Sequence, residues 1–191
     1  MVPETNSKDL SAKLKELIDR QGYSLLDVGC GLCLNTDFEC PITIGIDVHR
    51  PYLVNRVNRS VNMIPLHMDA RAMSQYFLPK TISLVLFNDT LEHFHKNEAL
   101  ELLRQAELIA VKRVIVFTPR GFFPQDGYDH FHLHGEVFQS HRSGWEPEEF
   151  LEKGYQVLVF KDFHDESNIS FRQAFGEGHP PVDALLAWKD L

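Results

Sequence analysis

Apolar positions along this chain recur with two different periods, and the switches between them outline alternating strands and helices. Ser7 to Arg20 spaces Leu10, Leu14, Leu17 and Ile18 as one helix face, and Gly22 follows as a stop. Leu25 to Val28, Ile42 to Ile46 and Ile82 to Phe87 are short apolar runs, the pattern of strands covered on both faces. Ile64 to His67 is a weaker strand, and Arg71 to Tyr76 predicts a short helix. Thr90 to Val111 reads as one long helix, with Leu91, Phe94, Leu102, Leu103, Ala106 and Ile109 on its apolar face. Val114 to Phe117 is a fifth strand, stopped by Thr118-Pro119. Pro147 to Lys153 predicts a short helix with Gly154 just past its end, and Tyr155 to Phe160 and Ala184 to Trp188 close the chain as strands. The segment from Leu32 to Pro41 is too short for a full crossover helix. Asn35, Thr36 and Asp37 suit caps better than a helix interior, so a stunted helix is expected there.

This alternation predicts an α/β protein with a doubly wound, mostly parallel sheet. One break interrupts it. From Arg120 to Trp145 helical periodicity is lost and aromatic, Gly and His residues dominate. A linker is not this aromatic, so a lid or acceptor loop over about 120–146 is expected within a single domain of residues 1–191.

Composition narrows the function. At 43% hydrophobic residues, the chain can bury a sizeable core. No apolar run has bilayer length and the first residues lack a signal peptide's apolar stretch, so a cytoplasmic protein without membrane contact is expected. Three cysteines form no disulfide framework and fit a reducing compartment. A formal charge of −8, from 27 acids and 19 bases, argues against a long nucleic-acid interface.

The sharpest motif is Leu25-Leu26-Asp27-Val28-Gly29-Cys30-Gly31, a strand that ends in a glycine turn. Glycine there lets the backbone turn sharply and lets a ligand approach where a Cβ would collide. Thr43-Ile44-Gly45-Ile46-Asp47 follows, a second strand with an acid at its tip. Together they suit a nucleoside, with a carboxylate on the ribose hydroxyls. A dinucleotide fingerprint needs a third glycine, and Leu34 occupies that place, so NAD and FAD are disfavoured.

With Asp27 before the glycines, the turn resembles motif I of the class I S-adenosylmethionine-dependent methyltransferases, although Cys33 replaces that motif's last glycine. Leu66-His67-Met68-Asp69-Ala70 resembles the end of the family's third strand. Ile82 to His93 resembles its fourth strand and the Leu-Glu-His segment after it. The matches occur in order over about residues 22 to 120. The resemblance implies a Rossmann-like sheet with an antiparallel last strand, and S-adenosylmethionine as cofactor. It implies that Asp27, Gly29, Cys30 and Gly31 shape the methionine end, that Asp47 holds the ribose, and that Asp69 with Ala70 holds the adenine. Val48 and Asn88 complete the cofactor wall.

Three segments are candidates for the chemistry. Asp89, Glu92 and His93 fall at i, i+3 and i+4, one face of the expected helix, in a pattern similar to that of metal-dependent O-methyltransferases. Two acids also suit a helix N-terminus without metal. His130, His132 and His134 would share one face of an extended segment, a transition-metal arrangement, or else face solvent from a mobile lid. His141-Arg142-Ser143-Gly144-Trp145 resembles a segment of many small methyltransferases. It supplies His141 as base, Arg142 as anion ligand and Trp145 as pocket wall, beside an apolar lining from Phe122, Phe123, Tyr128 and Phe131. His93 and Asp89 complete the catalytic candidates, and no metal is expected. Cys30 and Cys33 have the C-x-x-C spacing of redox and zinc sites, but they fall inside a loop that already has an explanation.

The expected function is methyl transfer to a small molecule. The alternatives are a non-catalytic nucleoside- or partner-binding module and a metal-dependent hydrolase built on the histidine cluster.

Overall fold

The computed structural model describes residues 2–34 and 38–191. Asn35, Thr36 and Asp37, where the stunted helix was expected, lie outside the described residues.

In chain order the elements are β1 (Glu4–Thr5), α1 (Leu10–Ile18), β2 (Ser24–Val28), β3 (Ile42–Asp47), α2 (Arg50–Val54), β4 (Met63–His67), α3 (Met73–Tyr76), β5 (Ile82–Asn88), α4 (Lys96–Ile109), β6 (Ala110–Pro119), α5 (Glu136–Gln139), α6 (Pro147–Leu151), β7 (Gln156–His164), α7 (Ile169–Phe175) and β8 (Val182–Asp190). The strands form one sheet in the order β1-β7-β8-β6-β5-β2-β3-β4. Only β8 runs against its neighbours, paired antiparallel to β6 and β7. The sheet is therefore α/β and mostly parallel with an antiparallel last strand.

Alternation along the central strands feeds two cores. Leu26, Val28, Val85, Phe87, Val114 and Val116 face one side, where Leu102, Leu103, Ala106 and Ile109 of α4 cover them. Leu25, Leu84, Leu86, Ile115 and Phe117 face the other, against Leu14 and Ile18 of α1. Strand order reverses between β5 and β2, so the loops after these strands part there and leave a crevice at their carboxyl ends.

Several expectations change. The long helix from Thr90 to Val111 is broken. Leu91–His93 forms a 3₁₀ turn, Phe94 and His95 are extended, and α4 starts only at Lys96. The break has a local cause: the Thr90 hydroxyl donates to the Val28 carbonyl at 2.9 Å, tying the turn to β2, while Glu98 accepts the His95 N–H at 3.2 Å and starts the new helix. Val111 belongs to β6. β1, α2, α5 and α7 are additions that short or mixed sequence patterns did not disclose. β7 continues past Phe160 through a register shift, with Asp162 at φ +53°, to end at His164.

Trp145 is not a pocket wall. It is fully buried, stacked on Phe150 at 5.0 Å and bridged to Gly121, with the Lys96 ammonium 3.6 Å above its ring. His132 and His134 have φ of +53° and +64°, so the three histidines do not line one face of an extended strand.

Candidate active site

A cavity of about 500 Å³ opens at the carboxyl ends of β2, β3, β4, β5 and β7. It is lined by Asp27, Gly29, Cys30, Gly31, Asp47, Val48, Asp69, Ala70 and Asn88 at one end. Asp89, Glu92, His93, Phe123, His141, Arg142 and His164 line the other.

The first end is built from the β2–β3 turn. Gly29 has φ +71° and Gly31 φ +52°. A Cβ at Gly29 would meet the Thr90 side chain at 2.6 Å, whereas one at Gly31 would meet nothing within 4 Å. Gly29 thus serves packing beneath the loop, and Gly31 keeps backbone open toward the cavity. The Gly31 N–H donates to Asp47 Oδ2 at 2.9 Å and the His49 N–H to Oδ1 at 2.7 Å, which orients the carboxylate. Burial nevertheless raises the Asp47 pKa.

Asp27 is 5% exposed, and among the described residues none donates a hydrogen bond to its carboxylate. Burial, and then the charge of Asp47, push its pKa up to about 7. Asp69 differs: hydrogen bonds from the Arg71 side chain hold it below its ordinary range, and Arg71 also pairs with Glu98. Asn88 Oδ1 is buried with no partner among the described residues. An unpaired buried carboxylate, an open glycine backbone and an orphaned amide oxygen beside apolar Val48, Met68 and Phe94 suit a ligand with a cationic group and a planar base. S-adenosylmethionine has both, so these residues fit it.

At the other end, the 141–145 segment is anchored on the 3₁₀ turn. The Glu92 carbonyl accepts the N–H groups of Arg142 and Ser143 at 2.7 and 3.1 Å. His141 Nδ1 donates to the Phe123 carbonyl at 2.7 Å. A carbonyl can only accept, so the proton sits on Nδ1 and the lone pair on Nε2. His93 Nδ1 is held in the same way by the Ser140 carbonyl at 3.3 Å, and the two rings lie 4.8 Å apart, edge to face. Burial lowers the pKa of His141, and burial together with His141 takes His93 down to about 4. Both imidazoles are therefore neutral near pH 7. Burial alone holds the Asp89 carboxyl at about 7, and burial with the nearby Asp89 raises Glu92 well above its ordinary value.

The expected Asp89–Glu92–His93 stack does not form, because Asp89 precedes a 3₁₀ turn and has φ +49°. Among the described residues, the ligand atoms that converge within 4.8 Å belong to Glu92, His93 and His141. Phe123 and Phe131 line the cavity, while Phe122 and Tyr128 do not.

Other lining residues were missed by sequence reasoning. His164 is 9% exposed, with Nε2 buried and unpartnered, and its pKa is lowered to about 4 by burial and by His141. The bulge before it breaks the strand's alternation, which hid its direction. The lid is clasped by Asp129, which accepts from Tyr52 Oη at 2.7 Å and from the N–H groups of Phe131, Leu133 and Gly135. His49 Nε2 adds a bond to the Leu133 carbonyl at 2.7 Å. A turn at 129–135 is thereby fastened to His49 and Tyr52, just past Asp47.

No family model matches the chain, and no curated protein is significantly similar to it in sequence. Solved structures do match. A protein of Bacillus halodurans C-125, provisionally assigned as a methyltransferase, aligns over 96% of this chain and 99% of its own, with TM-score 0.67 and 16% identity. An Archaeoglobus fulgidus S-adenosylmethionine-dependent methyltransferase aligns over 96% and 95%, with TM-score 0.60 and 16% identity. The plantazolicin methyltransferase BamL, solved with S-adenosylhomocysteine and a triazolic desmethylPZN analog, aligns over 96% and 85%, with TM-score 0.57 and 18% identity. The chain has the fold of the class I S-adenosylmethionine-dependent methyltransferases. Among the described residues, no helix is long and apolar enough to cross a membrane.

Proposed function

We propose that this protein is an S-adenosylmethionine-dependent methyltransferase acting on a small molecule. The observation that carries the reading is the convergence in one cavity of Asp27, Asp47 and Asp69 from three adjacent strand ends, next to a neutral imidazole with a free Nε2. Asp27 faces the cationic methionine end, Asp47 the ribose hydroxyls, and Asp69 with Ala70 the adenine, between Val48, Met68 and Phe94. When bound, the cofactor supplies an electrophilic methyl on a sulfonium. The chain orients an acceptor under the 120–146 lid, excludes water, and takes the acceptor's proton on His141 Nε2. Asp89 and His93 hold the acceptor group against it, and Arg142 meets an anionic substituent. BamL, with the same fold, was solved with a triazolic desmethylPZN analog, and an acceptor of that kind is in keeping with this reading.

Calorimetric titration with S-adenosylhomocysteine tests the cofactor assignment. Asp47→Ala should weaken binding about tenfold or more while the far-ultraviolet spectrum is unchanged, because charge-assisted bonds to both hydroxyls are lost. Equal affinity in the variant would remove Asp47 from the site.

The cluster of Glu92, His93 and His141 also has the donor set of a divalent-cation site. In methyl transfer the same cluster serves proton transfer and positioning. A sulfonium methyl is already electrophilic, so turnover with an identified acceptor should survive exhaustive chelation. Loss of turnover with chelator, restored by one divalent cation, would make these three residues metal ligands.

A further inference from the structure

Cys30 and Cys33 share a wall of the cofactor turn, a site whose chemistry the methyl-transfer reading leaves unused. Their Sγ atoms are 3.5 Å apart. The Cys33 N–H donates to the Cys30 carbonyl at 2.8 Å, closing a four-residue turn with Gly31 and Cys33 at φ +52° and +54°. Such a turn keeps its end Cα atoms within about 7 Å, which overlaps the separation of about 4.4–6.8 Å that a disulfide spans. Cys33 is strained to do this: it holds a left-handed conformation that glycine adopts freely, in the place where the resembling motif has glycine. Cys40, the third cysteine, is elsewhere, its Sγ against the carbonyls of Gly22 and Ile42.

Cys30 is partly exposed and Cys33 is buried. Cys30 lines the large cavity. Cys33, itself 1% exposed, borders a smaller cavity with Leu34, Val57 and Asn58. Their shared hydrogen bond lowers the Cys33 thiol pKa and raises that of Cys30, so the pair contains one sulfur that ionises ahead of the other.

We propose that Cys30 and Cys33 are a dithiol modification site that takes a two-electron oxidant of the peroxide class, and that the resulting disulfide weakens cofactor binding. One sulfur of the pair attacks a peroxide oxygen as its thiolate, the O–O bond breaks and a sulfenic acid forms, while the released hydroxide takes up the proton that thiol gave up and leaves as water. The other sulfur then displaces the sulfenic oxygen, its own proton completing a second water. Two thiols and one hydrogen peroxide become one disulfide and two waters. A dithiol reductant reverses the change.

The consequence for the cofactor rests on the methyltransferase reading; the disulfide itself does not. Bonding distance is about 2.05 Å, so the sulfurs must approach by about 1.5 Å. The turn between them carries the Gly31 N–H that orients Asp47, and Cys30 Sγ lies where a Cβ on Gly45 would stand only 2.8 Å away. With Gly45 behind it, the turn has to tighten around Gly31, and the Gly31–Asp47 bond moves with it.

The test uses the full chain treated with hydrogen peroxide and then with an alkylating agent. Intact and peptide mass spectrometry should show loss of two hydrogens on the peptide holding Cys30 and Cys33, with Cys40 alkylated. Calorimetry should show S-adenosylhomocysteine bound about fivefold or more weakly after oxidation, and affinity restored by dithiothreitol. In Cys33→Ser the same peroxide should leave that variant's own affinity unmoved. Peroxide that leaves both thiols alkylatable, or that forms the disulfide without changing affinity, overturns the proposal. Reduced wild-type protein that binds no S-adenosylhomocysteine while still forming the disulfide would instead count against the methyltransferase reading, and with it the regulatory half of this one.

Discussion

Asp27→Asn should make the ligand-free protein more stable and its cofactor site worse. Asp27 is a buried carboxylate with no hydrogen-bond donor among the described residues and Asp47 as a like-charged neighbour, and its pKa is pushed up to about 7. An acid whose folded pKa lies above its unfolded value holds its proton more tightly in the native state. Its favourable contribution is present at low pH and is lost as pH rises from the ordinary carboxylate range to about 7. Above that, the wild-type fold carries an uncompensated buried charge that asparagine lacks. At about pH 8 the variant should melt higher by about 3–6 °C, the scale of one to two kcal/mol in a chain of this size. Its affinity for S-adenosylhomocysteine should fall about tenfold or more, because the methionine ammonium loses the carboxylate it would neutralise. Wild-type affinity should also rise from about pH 6 to about pH 8 with proton release, and that dependence should vanish in the variant. A variant that is less stable at pH 8 and binds normally would show that Asp27 is a structural acid.

Replacing His141 by alanine should lower turnover about a hundredfold and leave cofactor affinity nearly normal. The Phe123 carbonyl fixes the Nδ1–H tautomer, and burial keeps the ring neutral, so Nε2 is a base already in its working form. Because that burial lowers the pKa, wild-type activity should hold to a lower pH than an ordinary imidazole would allow, then fall as the ring protonates. The acid limb should disappear in the variant. If cofactor binding falls in step with turnover, the 141–145 segment serves to hold the lid on Glu92 rather than to move a proton.

The central strands β2, β3, β5 and β6 were legible because each holds a short apolar run, and a strand buried on both faces admits little else. Asp27, Asp47 and Asp69 were legible as strand-tip acids for the same reason. Asp47 ends β3, Asp27 stands one residue before the end of β2 and Asp69 follows β4 by two residues, and an acid so placed lies at the carboxyl end of the sheet. The segment from Thr90 to Val111 was misread because Leu91 and Phe94 fall in helical register with α4 by coincidence. The Thr90 bond to β2 and the Glu98 cap decide otherwise, and neither is a periodic feature. Trp145 was misread because an aromatic in a loop has the same sequence signature whether it faces a ligand or Phe150.

What the chain determines by itself is the order of its strands and helices, the glycine turn and the acids at the strand tips, since these depend on local period and on conformations open to few residues. Tertiary structure alone decides which histidines meet. His93, His141 and His164 come from a 3₁₀ turn, a lid and the end of a bulged strand, brought to one cavity by the Glu92 carbonyl, the Phe123 carbonyl and a register shift. Those contacts join residues up to about fifty positions apart, and no pattern within a single segment encodes a partner at that distance.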